Sequence, residues 1–368
     1  MILAIAIVNR GSPFYFWTTP KGLCQNNSSR CPPDASALGA FLVGRMPRHA
    51  PLLGPCERGA PAPTVRNICS GTGPKGLVST EPGAALRIAV LGDLHACFDA
   101  EDVRLLDAAG YDLIVFVGDL AGLRLRSTLA IAEVIAALRT PTLVVPGNHD
   151  APNAMQLLGE ILHSNALIRL ADRDTEGRAD AIAAALGPAH LAGYSLHTVA
   201  PDLQILVGRP HSMGGEELSF APFLERRFGV TSMDESAARL CALVEQAVGP
   251  NLLVIAHNGP SGLGDRRDSI WGCDFRKEEG DFGDRDLEQA LQHAGRLGKH
   301  VVGVVAGHMH VRIRGGGERQ TRVERDGTLF LNAARVPRIW NDADGRAVRH
   351  HLALRWSDGT LMAREVLW

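Results

Sequence analysis

Arg87-Ile88-Ala89-Val90-Leu91 runs straight into Gly92-Asp93-Leu94-His95. An apolar run of strand length is followed at once by a turn glycine, an acid and an imidazole. The same order of events recurs four times: residues 113–117 lead into Gly118-Asp119, 143–146 into Gly147-Asn148-His149-Asp150, 252–255 into Ala256-His257-Asn258, and 301–306 into Gly307-His308-Met309-His310. Continuous apolar runs are what strands buried on both faces require. A further run lies at 203–207, and helical patterns at 100–109, 127–138, 234–248 and 286–297 separate several of the strands. Strands alternating with amphipathic helices predict an α/β layered domain. In such a sheet the functional crevice lies beyond the carboxyl ends of the strands, so all five polar clusters can converge.

Outward from this frame the chain changes character at both ends. Residues 348–356 and 360–368, joined through Ser357-Asp358-Gly359, predict an antiparallel hairpin. Residues 1–85 hold eight Lys or Arg against three acids, 11 of the 21 prolines and four of the seven cysteines. Pro32-Pro33, Pro61-Ala62-Pro63 and Gly71-Thr72-Gly73-Pro74 keep interrupting any regular pattern there. The expectation is a disordered leader over 1–85 and one domain over 86–368. A transit peptide fits the basic, acid-poor composition, which points to a plastid; a dispensable extension from a misassigned start fits equally, and leaves a cytoplasmic protein.

Composition removes several function classes. The 368 residues are 45% hydrophobic and 21% charged, with a net charge of −2, so no global field attracts nucleic acid or an anionic membrane. Seven cysteines are too few, and odd in number, for a disulfide scaffold. No apolar run reaches the roughly 18 residues of a membrane span.

The polar clusters themselves suit a dinuclear metal site. Imidazole nitrogens mixed with carboxylate and amide oxygens suit Mn, Fe or Zn. Asp-x-His and His-x-His place two donors on one side of an extended segment. Two ions about 3.5–4 Å apart need a shared ligand, which a carboxylate supplies.

With Asp93-x-His95, Gly118-Asp119, Gly147-Asn148-His149-Asp150, His257 after an apolar strand and Gly307-His308-x-His310 in this order, the sequence resembles the calcineurin-like metallophosphoesterases. The resemblance implies a four-layer α/β/β/α sandwich and hydrolysis of a phosphate ester, monoester or diester, by a metal-bridging hydroxide. It assigns Asp93, His95, His310 and Asp119 to one divalent ion and Asp119, Asn148, His257 and His308 to the other. It places His149 near the leaving group as general acid, with Asp150 to orient it. Two divalent ions less two carboxylates and a hydroxide leave a positive site, suited to a phosphate ester. Many relatives continue the second motif with an acid followed by Arg or Asn; here Leu120-Ala121-Gly122-Leu123 follows Asp119, which argues against the protein Ser/Thr phosphatase branch. Ala256 replaces the usual glycine before His257. The strings at 208–215, 257–264 and 332–338 resemble a branch found in cyanobacteria and plastid-bearing eukaryotes.

Two other classes compete: a non-catalytic scaffold of the same fold, which has no need of His149, and a nuclease, which the near-neutral charge and sparse aromatics disfavour. Elsewhere Cys97 reads as a buried inert thiol and Cys241 as core. Residues 261–284 read as a solvated loop or a substrate-facing lid, and Arg312 to Arg325 as an ordinary strand face. Among the other histidines His211, in a Gly-rich loop, is the one to watch.

Overall fold

The computed structural model describes Val78, residues 85–275, Glu278 and residues 280–368. The expected leader therefore lies outside the described residues, apart from Val78 and Ala85. In chain order the elements are β1 (Leu86–Leu91), α1 (Ala100–Ala108), β2 (Leu113–Phe116), α2 (Leu125–Ile135), β3 (Thr142–Val144), α3 (Ala154–Ile161), α4 (Asn165–Ala171), a 3-10 turn (Asp172–Asp174), α5 (Thr175–Ala185), β4 (His190–Leu191), β5 (Ser195–Ala200) and β6 (Leu203–Val207). They continue with α6 (Ala221–Phe228), α7 (Met233–Gln246), β7 (Asn251–Ile255), α8 (Arg285–Arg296), β8 (His300–Ala306), β9 (Arg322–Arg325), β10 (Thr328–Asn332), β11 (Ile339–Asn341), β12 (Ala347–Ser357) and β13 (Thr360–Leu367).

The strands form two sheets. One runs β11-β12-β1-β2-β3-β4, with β13 also paired to β12; the other runs β5-β6-β7-β8-β10-β9. β1, β2, β3 and β4 are mutually parallel, as are β6, β7, β8 and β10. Register aligns their carboxyl ends: Leu91 lies beside Phe116, Phe116 beside Val144, and Ile255 beside Val305. Every turn that carries a polar cluster therefore leaves its sheet at the same edge.

Side chains alternate across each strand, so both faces need cover. Ile88, Val90, Val115 and Leu143 of the first sheet share a core with Ile205, Val207, Leu253 and Ile255 of the second. The alternate residues Ala89, Leu91, Ile114 and Phe116 pack with Leu106, Ile131 and Ile135, while Leu206, Leu252 and Val254 pack with Leu240, Val244 and Leu287. Helices thus cover the outer face of each sheet, which is the expected α/β/β/α sandwich. Each fully buried Leu, Ile or Val contributes on the order of 1.5–3 kcal/mol. The C-terminal hairpin forms as β12 and β13, turned by Asp358 (φ 50°) and Gly359 (φ 71°) in the left-handed conformations that a tight two-residue turn requires. Among the described residues no helix is long and apolar enough to cross a membrane.

Two local expectations change. Arg312 to Arg325 is not one strand face: the backbones of Arg312 and Glu318 meet in an isolated antiparallel β-bridge, a Gly315-Gly316-Gly317 tip reverses the chain, and only β9 is a strand. Within 261–284, Gly262 and residues 264–267 are exposed as a solvated loop requires, but Ile270, Trp271 and Cys273 are buried. Cys97 is half-buried, since its turn lies at the rim of the sheet.

Candidate metal centre

Each cluster sits immediately beyond a parallel strand. Asp93 and His95 follow β1, Asp119 follows β2, and Asn148, His149 and Asp150 follow β3. His257 follows β7, and His308 and His310 follow β8. The chain must reverse sharply while pointing side chains at one spot, and Asp93, His95, Asp119 and His308 adopt left-handed backbone with φ between 42° and 65°. Gly118 has φ 99°, and a Cβ there would lie 2.5 Å from the His257 ring. Gly147 packs directly on Asp119, leaving no space for a side chain.

The donor atoms converge in two groups around one carboxylate. His95 Nε2 is 3.0 Å from His310 Nε2, which is 3.4 Å from Asp93 Oδ2. On the other side His257 Nε2 is 3.0 Å from Asn148 Oδ1. Asp119 stands between them, with Oδ2 3.8 Å from His95 Nε2 and Oδ1 3.6 Å from His257 Nε2. One donor atom each from Asp119, His257 and His308 lie within 4.8 Å of one another, as do those of His95, Asp119 and His149.

Hydrogen bonds fix which ring nitrogens face inward. His257 Nδ1 donates to Val117 O at 2.7 Å, which directs Nε2 at Asn148 Oδ1. His308 Nε2 donates to Met213 O at 3.0 Å, which leaves Nδ1 as the unprotonated nitrogen. These are the outer contacts that orient imidazole ligands.

The residues fit divalent ions. Donors held about 2.0–2.2 Å from one ion lie roughly 3.0–3.6 Å from each other, close to the separations seen here. Asp93 Oδ2 is fully buried without a hydrogen bond, and the His95 and His310 Nε2 atoms stand 3.0 Å apart, where one tautomer lets them share a proton. The buried, unpartnered Asp93 oxygen is costly unless a cation lies beside it.

A family profile, calcineurin-like phosphoesterase, matches residues 86–312. The chain belongs to the calcineurin-like phosphoesterase family. Solved structures similar to it include a dimetal phosphatase from Danio rerio, 13% identical, covering 76% of this chain and 98% of that one with a TM-score of 0.40. A purple acid phosphatase from yellow lupin (Lupinus luteus) seeds is 16% identical, covering 77% of this chain and 51% of that one with a TM-score of 0.43. A protein from Thermus thermophilus is 12% identical, covering 76% and 99% with a TM-score of 0.41. No curated protein matches the chain.

In this calcineurin-like centre the electrostatics are dominated by burial and by the packed imidazoles. Burial alone would raise the Asp119 carboxyl, but His149, His257, His95 and His308 hold it well below the ordinary range. Burial likewise opposes ionisation of Asp93, which its contact with His310 overcomes. Burial pushes His308 down to about 3, with His257 adding to the shift, so that ring is a neutral donor. His257 moves up despite its burial because Asp119 and Asp93 favour its cation.

All nine expected residues come together, but Asp150 is placed differently from a partner to the His149 ring. Its carboxylate accepts the Gly147 (2.7 Å), Leu120 (2.8 Å) and Asp119 (3.1 Å) amides, tying the turns after β2 and β3 to each other. Burial, with Asp119 nearby, pushes this acid up to about 7. The His149 amide in turn donates to Asp119 Oδ1 at 3.0 Å. His211 is buried and bonds Gly147 O through Nδ1 at 2.7 Å, so it supports the turn from behind.

Two buried arginines escaped the sequence reading. Arg319 donates to His310 O (2.7 Å) and to the carbonyls of Arg267, Ser269 and Gly272. Arg338 donates to Cys97 O (2.8 Å) and pairs with buried Asp102 (2.9 Å), fixing the turn after His95 onto α1. Arg319 lies among the polar residues Glu318, Gln320 and Thr321, and Arg338 follows Val336-Pro337, so neither position shows a pattern that marks an arginine as internal.

Proposed function

We propose that this chain hydrolyses phosphate esters with two divalent ions bound at the centre. Asp93, His95, His310 and Asp119 hold one ion, and Asp119, Asn148, His257 and His308 hold the other. The observation that carries the reading is Asp119, whose two oxygens face His95 on one side and His257 on the other. Such ions, when bound, supply positive charge to the phosphoryl oxygens and make water easier to ionise at neutral pH.

The chain's own groups supply the rest. His149 is half-buried, and its ring centroid lies 5.5 Å from that of His95, at the open side of the cluster. From there it can donate a proton to the leaving oxygen, a role worth roughly 10²–10⁴-fold in rate. The amide of His149 on Asp119 and the carboxylate of Asp150 under both turns fix that ring's origin relative to the donors. Pre-set geometry of this kind lowers the entropy to be lost when substrate docks.

The test is turnover of a panel of phosphate monoesters and diesters by purified protein, with and without Mn²⁺. Metal-dependent release of alcohol from any class supports the reading and names the class. No turnover by protein carrying two ions per chain would leave a scaffold of the same fold as the better account, and cleavage restricted to single-stranded oligonucleotides would favour a nuclease.

A further inference from the structure

A cavity of about 160 Å³ opens beside His308 and His310, walled by Asp274, Phe275, Arg312 and Arg314. Among the described residues that line it, charge is not balanced. Asp274 is the one acid lining it among the described residues, and that carboxylate already pairs with buried Arg319 at 3.3 Å and accepts the Arg314 amide at 2.8 Å. Arg312 is exposed to the cavity and has no hydrogen bond or ion pair among the described residues. Its backbone is nonetheless well held. Val311 N donates to Ala334 O (2.9 Å), Arg319 N to Val311 O (2.8 Å), and Ile313 N to Gly317 O (3.1 Å) around the Arg312–Glu318 bridge. A guanidinium on a fixed stem, two residues beyond His310 and facing a cavity, is a ready partner for an anion. Its planar fork matches carboxylate and phosphate oxygens.

We propose that Arg312 reads a second anionic group on the substrate, so that preferred substrates are phosphate esters whose alcohol part carries a further carboxylate or phosphate. The inference rests on the phosphate-ester reading above. The scissile phosphoryl group sits at the donor cluster, and the second anion extends past His310 into the cavity. The size of the cavity limits that extension to a compact group.

Binding of non-hydrolysable phosphonates to the full-length, Mn²⁺-loaded protein tests this by calorimetry. Propylphosphonate and 3-phosphonopropionate are close in size and differ by one carboxylate, and ethane-1,2-diphosphonate replaces that carboxylate by a phosphonate. Wild-type protein should bind at least one of the two dianion-bearing ligands roughly threefold to tenfold tighter than propylphosphonate, as expected for a charge-assisted contact still open to water. The tighter of the two identifies which anion the site prefers. Arg312→Ala should bring the ratio close to one, and Arg312→Lys should keep part of it, with melting temperatures reporting whether each variant folds. Equal binding of all three ligands by wild type, or an unchanged ratio in folded Arg312→Ala, overturns the proposal alone. Binding of none of the three overturns the phosphate-ester reading and this subsite with it.

Discussion

Asp119 sits at φ 52° with its carboxylate 2% exposed among four imidazoles, a conformation and an environment that each cost free energy. The compensation is geometric, since only from that turn do its two oxygens face both donor groups. Asp119→Asn keeps the oxygen that accepts the His149 amide but removes the charge. It should leave the fold intact and lower metal content below two ions per chain, with turnover falling in parallel. Elemental analysis of the purified variant checks this; two ions per chain with normal turnover would remove the bridging assignment. His149 calls for the opposite outcome. His149→Ala should keep both ions and lose roughly 10²–10⁴-fold in rate on esters with poor leaving groups, and much less on nitrophenyl esters, which leave without a proton. The discriminating result is metal content. One of the convergent donor groups includes His149, and loss of an ion in this variant would make it a ligand and not an acid.

At the level of elements, legibility follows burial. β1, β2, β7 and β8 were readable because their residues are buried on both faces, which writes an uninterrupted apolar run. β9 was not, because Arg322–Arg325 is an edge strand with exposed arginines and takes its conformation from pairing with β10. The segment from α3 to α5 was also missed. α3 carries Gly159, which a sequence reading takes as a helix breaker, but which here admits close approach of Ile168 from α4. α5 is built largely from alanine and lacks a clear apolar stripe. The residues proposed as ligands stand out in the sequence for a separate reason: each is a polar residue placed abruptly after an apolar run. Their left-handed backbone was not legible, since Asp and His tolerate positive φ better than most residues but adopt it in only a minority of positions. Residues 261–284 sit between these cases. They read as a loop, yet the loop is clamped by Arg319, whose guanidinium bonds three of its carbonyls and Asp274. Arg319→Met should cost about 3 kcal/mol, because a buried pair loses one partner and several carbonyls lose their donor. Hydrogen exchange should then show faster labelling at residues 266–274 while β1, β2 and β3 stay protected. Unchanged protection in that loop would show that Trp271 and Ile270 hold it without the arginine.

For the whole molecule, the question is whether anything before Leu86 matters to the centre. Val78 packs at the edge of the core between the two sheets, and it shares a cavity of about 400 Å³ with Tyr111, Asp112, Arg139 and Pro141. Those residues precede β2 and β3, so Val78 lies at the amino ends of the parallel strands, whereas the proposed ligands leave from the carboxyl ends. Strands of four to six residues separate the two by roughly 13–20 Å. A side chain at that distance can affect stability without affecting the chemistry. Deleting residues 2–77 should therefore leave melting temperature, metal content and Mn²⁺-dependent turnover unchanged. Deleting residues 2–84 removes Val78 as well. A half-buried valine contributes up to about 1 kcal/mol, which for a domain of this size lowers the melting temperature by roughly 2–4 °C. Metal content and turnover at 25 °C should not change, because β1 still begins at Leu86 and still delivers Asp93 and His95. Loss of turnover in either truncation, with the remaining protein folded, would show that the leader reaches the catalytic edge. The same leader fused to a fluorescent protein in a plant or algal cell separates its two remaining readings: plastid import makes it an address, and diffuse fluorescence makes it a dispensable extension.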